Sequence, residues 1–508
     1  MSIKLIIVVL FVLALAIIGV WAAFFNKPKK SGVIYSASID DTGDLFGELH
    51  YGNESGQPLI AYAPVSARQL AKNPWREGMP VHSISGEERG LVLGVSRSGK
   101  TTYLIAQLVD WMQSGRSFVA TDIKPEIWAE MAINGVFERY GYEVTIINPT
   151  DALANKYNAF DDIDDAHFTT ETIELIEILV GNIEFAVGAK LLLRAVLLDL
   201  KESGKRVSLP SIRRFLASYD DTDELLSDLS ASESSLVREL VAELKKIATN
   251  ERFIGSCFGA IGESLRFLDS KTIAANTDTS DVLLREVLTQ PRQAVFLQFE
   301  QSYKEQTAKL FGFTLAHVLR LLQMNYRARD EVFVAIDEII NSAPIPNLAQ
   351  KLNTMGSAKM PLFMYLQTLS GLNAVYGRGA DQLFMSACSL KICYRVNEHD
   401  TAQQFSDLVG EVEVERWSAT ETPQVSNTGR SYTQRSISST ADRMALIEPS
   451  ELLDMPNGHA IVIYKGKSAR LHMPRYSDVY PMPDRADFGN ISELSAFDEV
   501  EEIEEVIP

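Results

Sequence analysis

Leu91-Val92-Leu93-Gly94-Val95-Ser96-Arg97-Ser98-Gly99-Lys100-Thr101-Thr102 joins an apolar run to a helical pattern through a polar loop bounded by glycines. The loop fits GxxxxGK[ST], which a chain of this length and ordinary composition meets by accident in about one or two cases in a hundred. Its setting strengthens the reading, because Leu91 to Leu93 has the texture of a buried strand and Thr102 to Met112 carries apolar residues at helical spacing. Gly94, Ser96, Ser98, Gly99, Lys100, Thr101 and Thr102 are the expected cradle for a nucleotide. The glycines let the backbone curl until its N–H groups and the helix N-terminus face phosphate oxygens. Lys100 is expected to neutralise β/γ-phosphate charge and the Thr101 hydroxyl to ligate Mg²⁺, with ATP as the nucleotide. A Gly/Ser turn that only caps a helix is the competing reading.

Further along, Val332-Phe333-Val334-Ala335-Ile336-Asp337-Glu338 is an apolar strand ending in two carboxylates, the pattern of a Walker B element. Asp337 is expected in the Mg²⁺ shell, and Glu338 is expected to orient and polarise an attacking water. Alone the motif is weak, since strands ending in a solvated Asp-Glu are common; the P-loop upstream makes it strong. Leu362 to Leu366 is another apolar run, and Gln367 after it is a candidate γ-phosphate sensor, against the alternative of an exposed strand-end glutamine. Asp122-Ile123-Lys124 ends the strand after the P-loop helix, at the sheet edge where open α/β folds bind ligands, although a surface ion pair explains it nearly as well.

Eight apolar, β-branched runs recur: Leu91–Leu93, Phe118–Thr121, Val144–Ile147, Ala294–Phe299, Val332–Ile336, Leu362–Leu366, Leu390–Val396 and Ala460–Tyr464. Helical patterns separate most of them, which predicts an α/β fold with a parallel, doubly wound sheet. Between the third and fourth runs the texture changes to helical periodicity in Ala189–Leu200, Asp221–Leu229 and Leu236–Ile247, with a helix-start signal at Ser208-Leu209-Pro210-Ser211. This predicts an all-α domain over 165–268 inserted into a nucleotide-binding domain of 91–164 and 269–483. Residues 31–90 are Gly-, Ser-, Pro- and charge-rich and read as a connector, with a short helical pattern over Ser66–Ala71. Ser418–Thr440 is Ser/Thr-rich with few apolar residues and reads as a mobile loop.

Leu5 to Phe25 runs for 21 residues without a charge, and at about 1.5 Å per residue it matches the thickness of a bilayer core. It predicts one transmembrane anchor within 1–30. A cleaved signal would have an apolar core of about 7 to 15 residues followed by small residues, whereas this run ends in Trp21-Ala22-Ala23-Phe24-Phe25. Lys27, Lys29 and Lys30 follow the run while only Lys4 precedes it, so the positive-inside rule puts the N-terminus outside and the bulk of the chain in the cytoplasm. The formal net charge is -19 over 508 residues, so any DNA contact must come from local basic surface. The tail from Asp484 to 508 holds nine acids against one base and reads as disordered, or as a docking peptide for a basic partner. Three cysteines, Cys257, Cys388 and Cys393, form no CxxC pair and read as reduced, buried thiols, and the seven histidines show no metal-ligand spacing.

With these motifs in place, the chain resembles the type IV coupling proteins, membrane-anchored ATPases that deliver substrates to conjugation and type IV secretion channels. Beyond the Walker elements, the resemblance is carried by Thr121-Asp122-Ile123-Lys124-Pro125-Glu126, Ile147-Asn148-Pro149 with Tyr157-Asn158-Ala159-Phe160, and Gln367-Thr368 with Val375-Tyr376-Gly377. It continues in Phe405-Ser406-Asp407-Leu408-Val409-Gly410 and Pro449-Ser450-Glu451-Leu452-Leu453-Asp454-Met455-Pro456. It implies a RecA-like fold, a homohexamer in the bacterial inner membrane, and ATP hydrolysis that drives or gates transfer. The implied partners are single-stranded DNA bound without sequence preference, a relaxase or effector proteins, and the secretion channel. Two features depart from the pattern. Relatives commonly have two transmembrane helices, and many have an arginine where Met355 and Gly356 stand, leaving Lys359, Arg378 and Arg395 as candidate cations for a neighbouring subunit's nucleotide. The alternatives are another hexameric membrane DNA translocase, or a substrate receptor that nucleotide only stabilises.

Overall fold

Apolar runs become central strands where both of their faces are covered, and this chain does so along one long sheet. The computed structural model describes residues 33–36, 50–51, 57–64, 78–82, 88–248, 251–299, 304–425 and 431–476. The Leu5–Phe25 run, the 66–71 helical pattern and the acidic tail lie outside them. Among the described residues no helix is long and apolar enough to cross a membrane.

The strands are β1 (Val33–Ser36), β2 (His50–Tyr51), β3 (Leu59–Pro64), β4 (Gly78–His82), β5 (Arg89–Leu93), β6 (Phe118–Thr121), β7 (Glu143–Ile147) and β8 (Gln293–Leu297). They continue as β9 (Phe333–Asp337), β10 (Leu362–Leu366), β11 (Leu390–Cys393), β12 (Glu411–Val425), β13 (Ser431–Ala445), β14 (His459–Tyr464) and β15 (Lys467–His472). All eight apolar runs of the sequence are strands of one nine-stranded sheet, ordered β15-β14-β11-β5-β10-β9-β6-β8-β7. From β7 to β11 every neighbouring pair is parallel, while β14 and β15 add an antiparallel edge.

Both faces of the sheet are buried, the reason its strands read as unbroken apolar runs and not as alternation. On one face Trp111 and Tyr103 of the helix Lys100–Met112 pack against Phe333 and Tyr365, with ring centroids 5.6 and 6.4 Å apart. Phe363 stands opposite Gly90 across the β10–β5 ladder, and its ring fills the space where a side chain of Gly90 would sit. A buried polar knot fastens the three-stranded sheet β2-β4-β3 to the same helix. Gln107 Nε2 donates to Leu59 O at 2.5 Å and Gln107 Oε1 accepts from Tyr365 Oη, so β3, the P-loop helix and β10 are joined through one amide.

Between β7 and β8 the elements are all helical, among them Phe168–Val180, Ala186–Glu202, Leu209–Ala217, Thr222–Ser230, Ser235–Ile247 and Glu251–Ser264. Ser208 begins one of them with a capping box: its hydroxyl accepts from Ser211 N, and Ser211 Oγ accepts from Ser208 N. Gly188 lets the helix Ala186–Glu202 pass against Cys257 and Phe253. All three cysteines are free and buried, as expected.

The chain divides into two compact units, the smaller containing residues 403–451 with β1 and the larger the nine-stranded sheet. The smaller unit corrects one expectation: of the Ser418–Thr440 stretch, residues 418–425 and 431–440 are strand and not loop. β12 and β13 pair antiparallel in unbroken register from Glu411↔Ala445 to Val425↔Ser431, and β1 lies along β12. Residues 436–440 are exposed. A strand segment exposed as 436–440 is needs no apolar period, so composition alone made it look like a loop.

Candidate nucleotide site

The carboxyl edge of the parallel strands assembles the site, and its geometry begins with the loop after β5. Gly94 N donates to Leu366 O at 3.1 Å and Val95 N to Arg395 O at 2.9 Å, so the loop hangs between the ends of β10 and β11. A Cβ on Gly94 would lie 2.6 Å from Ser98 Oγ and 2.7 Å from Tyr394 Cβ. Only glycine lets the backbone pass there. Gly99 turns into the helix at φ +112°, a left-handed conformation that glycine adopts at little cost. No side chain caps the helix Lys100–Met112 and no acid lies in its first turn, so its leading N–H groups and positive dipole end face the cavity without a built-in anion.

Lys100 is 8 % exposed, and its ammonium donates to Gly94 O and, at 3.2 Å, to Val95 O. Burial lowers its pKa, while Glu338 and Asp337 act in the opposite sense. At the end of β9, burial and then the Glu338 charge push the Asp337 carboxyl up to about 7, against the pull of Lys100. Thr121, buried at the end of β6, locks Asp337 in place: its hydroxyl donates to Asp337 O at 3.0 Å and accepts from Asp337 N at 2.7 Å. Glu338 stands at φ +53°, a left-handed conformation that costs a non-glycine residue about 1–3 kcal/mol, and its N–H is held by Tyr365 O at 2.9 Å.

A cavity of about 600 Å³ brings together Ser96, Gly99, Lys100, Thr101, Thr102, Asp337, Glu338 and Gln367. Gly94 and Ser98 are buried beneath it and shape the loop. The Gln367 strand β10 lies between the P-loop strand β5 and the Asp-Glu strand β9, with Leu366 level with Leu93 and Tyr365 level with Asp337. The sheet order therefore places all three motifs at one edge. Asp122 and Lys124 both stand at the ligand edge of the sheet, and they divide the labour there. The Asp122 carboxylate accepts from Ile127 N at 3.2 Å and Trp128 N at 3.0 Å, holding the start of the helix Glu126–Ile133, and from Gln298 Nε2 at 3.3 Å. Lys124 lines the cavity, and its charge acts on both Lys100 and Asp337.

Sequence reasoning missed Thr121 as the clamp on Asp337, and it missed Arg97 and Asn341 in the cavity wall. Thr121 carried one signal, a hydroxyl residue closing an apolar run. Of the other candidate cations, Arg395 lies at the site edge with its carbonyl bonded to the P-loop, Arg378 is exposed, and Lys359 precedes β10 at the opposite edge, bonded to Val332 N through its carbonyl. The arrangement can bind a polyanion on backbone N–H groups and two lysines, hold a divalent cation on Thr101 and Asp337, and present Glu338 to a water.

A family model described as type IV secretory system conjugative DNA transfer matches residues 54–478. The search of curated proteins finds no match. Among solved structures, the bacterial conjugative coupling protein TrwBdeltaN70 in an unbound monoclinic form superposes with a TM-score of 0.60 at 18 % identity, covering 82 % of this chain and 94 % of that one. The plasmid coupling protein TrwB in complex with ADP and Mg²⁺ gives the same TM-score and identity over 86 % of this chain and 98 % of that one. These likenesses agree in fold with the sheet and helices described above, and the family match spans both the P-loop and the Asp-Glu strand. The chain belongs to the type IV secretory system conjugative DNA transfer family.

Proposed function

We propose that this protein is a membrane-anchored coupling ATPase that recruits single-stranded DNA with a bound relaxase, or effector proteins, to a type IV secretion channel and uses ATP hydrolysis to drive or gate transfer. The observation that carries the reading is the convergence of Lys100, Thr101, Asp337, Glu338 and Gln367 on one cavity at the carboxyl edge of the sheet. The cavity fits Mg²⁺ and a nucleotide by its donor set: an uncapped helix start, a glycine that only a bare backbone could replace, and a hydroxyl and carboxylate suited to a hard cation. The TrwB structure with ADP and Mg²⁺ supports the same ligands.

In this reading Lys100 exchanges its bonds to the Gly94 and Val95 carbonyls for phosphate oxygens. Thr101 and Asp337 hold the metal, and Glu338 accepts a hydrogen bond from the attacking water and orients it. Gln367 senses the terminal phosphate. Bound Mg²⁺ would neutralise charge on the phosphate oxygens. We read the helical run between β7 and β8 as the inserted all-α domain, Leu5–Phe25 as a single anchor in the inner membrane, and the working form as a homohexamer.

ATP hydrolysis by the full-length protein in lipid, with and without single- and double-stranded DNA, tests this. Stimulation by single-stranded DNA that Lys100→Ala and Glu338→Gln both abolish is the expected result. Substrate transfer that survives Glu338→Gln but not Lys100→Ala would favour the nucleotide-stabilised receptor.

A further inference from the structure

We propose that the β12–β13 ribbon is an assembly arm: the outer edge of β13 pairs, strand to strand, with the open edge of β12 in a second copy of this chain. The inference rests on the membrane-anchored reading above for one step, the common orientation of the copies.

The ribbon is long, and its edges are unguarded. β13 is an outer strand of the sheet ordered β1-β12-β13, and β1 covers β12 only from Val412 to Val414. Among the described residues no strand lies beyond β13, and none lies along the other edge of β12 from Glu415 onward. Strands usually run about 5–6 residues, whereas β13 runs for 15 in unbroken register. A long open edge invites pairing, and proteins blunt such edges with proline, lysine, bulges or a covering loop. The outer strand β7 of the large sheet follows that rule: Asn155 N donates to Ile146 O at 2.9 Å, and Asn155 Oδ1 accepts from Ile146 N at 3.0 Å. β13 has no proline, no lysine and no bulge against β12.

Charge decides which edge meets which. In the ribbon's register odd positions pair with odd and even with even, so odd positions of both strands share one face and even positions the other. On the odd face β12 carries Glu411, Glu413, Glu415 and Glu421, while β13 carries Arg435 and Arg443. On the even face β12 carries Arg416 and β13 carries Asp442. The two strands are therefore opposite in sign on both faces. Pairing β13 with β13, or β12 with β12, sets like signs across the junction, whereas β13 against β12 of the next copy sets opposite signs there. The contact is head to tail, and repeated around an axis it closes a ring. Orientation agrees with this. Seven residues separate Phe25, the end of the apolar run, from Val33 of β1, a reach of at most about 30 Å, and β1 belongs to one compact unit with the ribbon. Ribbons tethered so closely to one bilayer point the same way, so β13 of one copy meets β12 of the next antiparallel, as it does within one chain. Pro423 offers no N–H, which limits the shared ladder to Glu415–Thr422 of β12. In the register kept within one chain, that segment sets Glu421 level with Arg435 of the neighbour.

The test is disulfide trapping in the full-length protein reconstituted in liposomes, with the wild type, whose three cysteines are buried, as the blank. Thr420→Cys on β12 is mixed in turn with Gln434→Cys, Ser436→Cys and Ser438→Cys on β13, and each mixture is oxidised. One mixture should give a disulfide-linked dimer and thereby report the register. No variant should do so alone, because identical positions in neighbouring ribbons stand two strands, about 10 Å, apart, beyond the reach of a disulfide. Glu421→Arg added to the Thr420→Cys chain, or Arg435→Glu added to its partner, should each lower the dimer about threefold by setting like charges across the junction. Both together should restore it, although each chain then has like charges level within its own ribbon. Absence of a dimer from every mixture, or dimers of each variant alone, overturns the edge pairing, and a yield that ignores the charge reversals overturns the head-to-tail assignment. A preparation that forms hexamers and hydrolyses ATP without trapping leaves the coupling-ATPase reading standing; one that stays monomeric and inactive overturns both.

Discussion

The nine-stranded sheet and the β12–β13 ribbon are both extended backbone, and they hold together in opposite ways. In the sheet the central strands β8, β9 and β10 are buried along their length, with aromatic rings of Phe296, Phe333 and Phe363 fully out of water. In the ribbon, fifteen successive residue pairs are joined by the ladder, yet Ile437 and Met444 are 54 % and 39 % exposed. Hydrophobic burial of a large side chain contributes about 1.5–3 kcal/mol. An exposed cross-strand pair contributes about 0.2–1 kcal/mol. The sheet should therefore respond sharply to single substitutions and the ribbon hardly at all.

Phe363→Ala should show the largest effect, a loss of about 3–5 kcal/mol in urea unfolding, because the ring packs on Phe333 at 5.5 Å and occupies the space over Gly90. A loss below 1 kcal/mol would mean that the sheet does not depend on this packing.

A second contrast uses protons. His317 in the helix Lys304–Met324 is buried with no hydrogen-bond partner on either ring nitrogen, and burial lowers its pKa from 6.5 to about 3. The unfolded chain takes up a proton below pH 6.5 that the folded chain does not. The neutral ring's contribution is therefore intact above that pH and is lost as pH falls toward 3. Between pH 7 and pH 5 this destabilises the fold by about 2 kcal/mol, and His317→Leu should remove that part of the acid sensitivity in melting curves. An identical pH slope in wild type and variant would show that the ring is not held neutral.

Gln107→Leu should cost about 1–3 kcal/mol, since it leaves the buried Tyr365 Oη without its acceptor and takes one of two donors from Leu59 O, which keeps Tyr103 Oη. Hydrogen exchange at β3 should speed up with it, because the amide shares with Tyr103 Oη the task of tying that strand to the P-loop helix. Ile437→Ala in the ribbon is the smallest change, within about 0.5 kcal/mol in the same unfolding assay. A loss as large as that of Phe363→Ala would show that the exposed ribbon face is covered in the assembled protein.

The same contrast explains what was legible beforehand. Each run of the sheet was visible because two buried faces demand apolar residues at successive positions, and the P-loop because glycine and lysine must stand at set spacings to cradle phosphate. The Ser208 start was visible because its capping box is made within four residues. The ribbon was hidden because pairing through the backbone leaves little mark on side chains at solvent-facing positions. Asp122 and Lys124 were legible as residues of the ligand edge, but the role of Asp122 at the helix start was not, because its partners, the N–H groups of Ile127 and Trp128, are backbone groups that no residue type announces.

From sequence alone came the strand-loop-helix around Lys100, the carboxylates Asp337 and Glu338, the glutamine at 367, and the helical stretch between the third and fourth apolar runs. These are local patterns, set by the periodicity of burial and the chemistry of short loops. Only the tertiary structure decided that β10 lies between β5 and β9 and so brings Gln367 to the same cavity. It also decided that Thr121 clamps Asp337 and that the turn at Gly458 arrives beside Ser98. Those juxtapositions join residues hundreds of positions apart, and they depend on strand order and direction, which residue types along one strand do not encode.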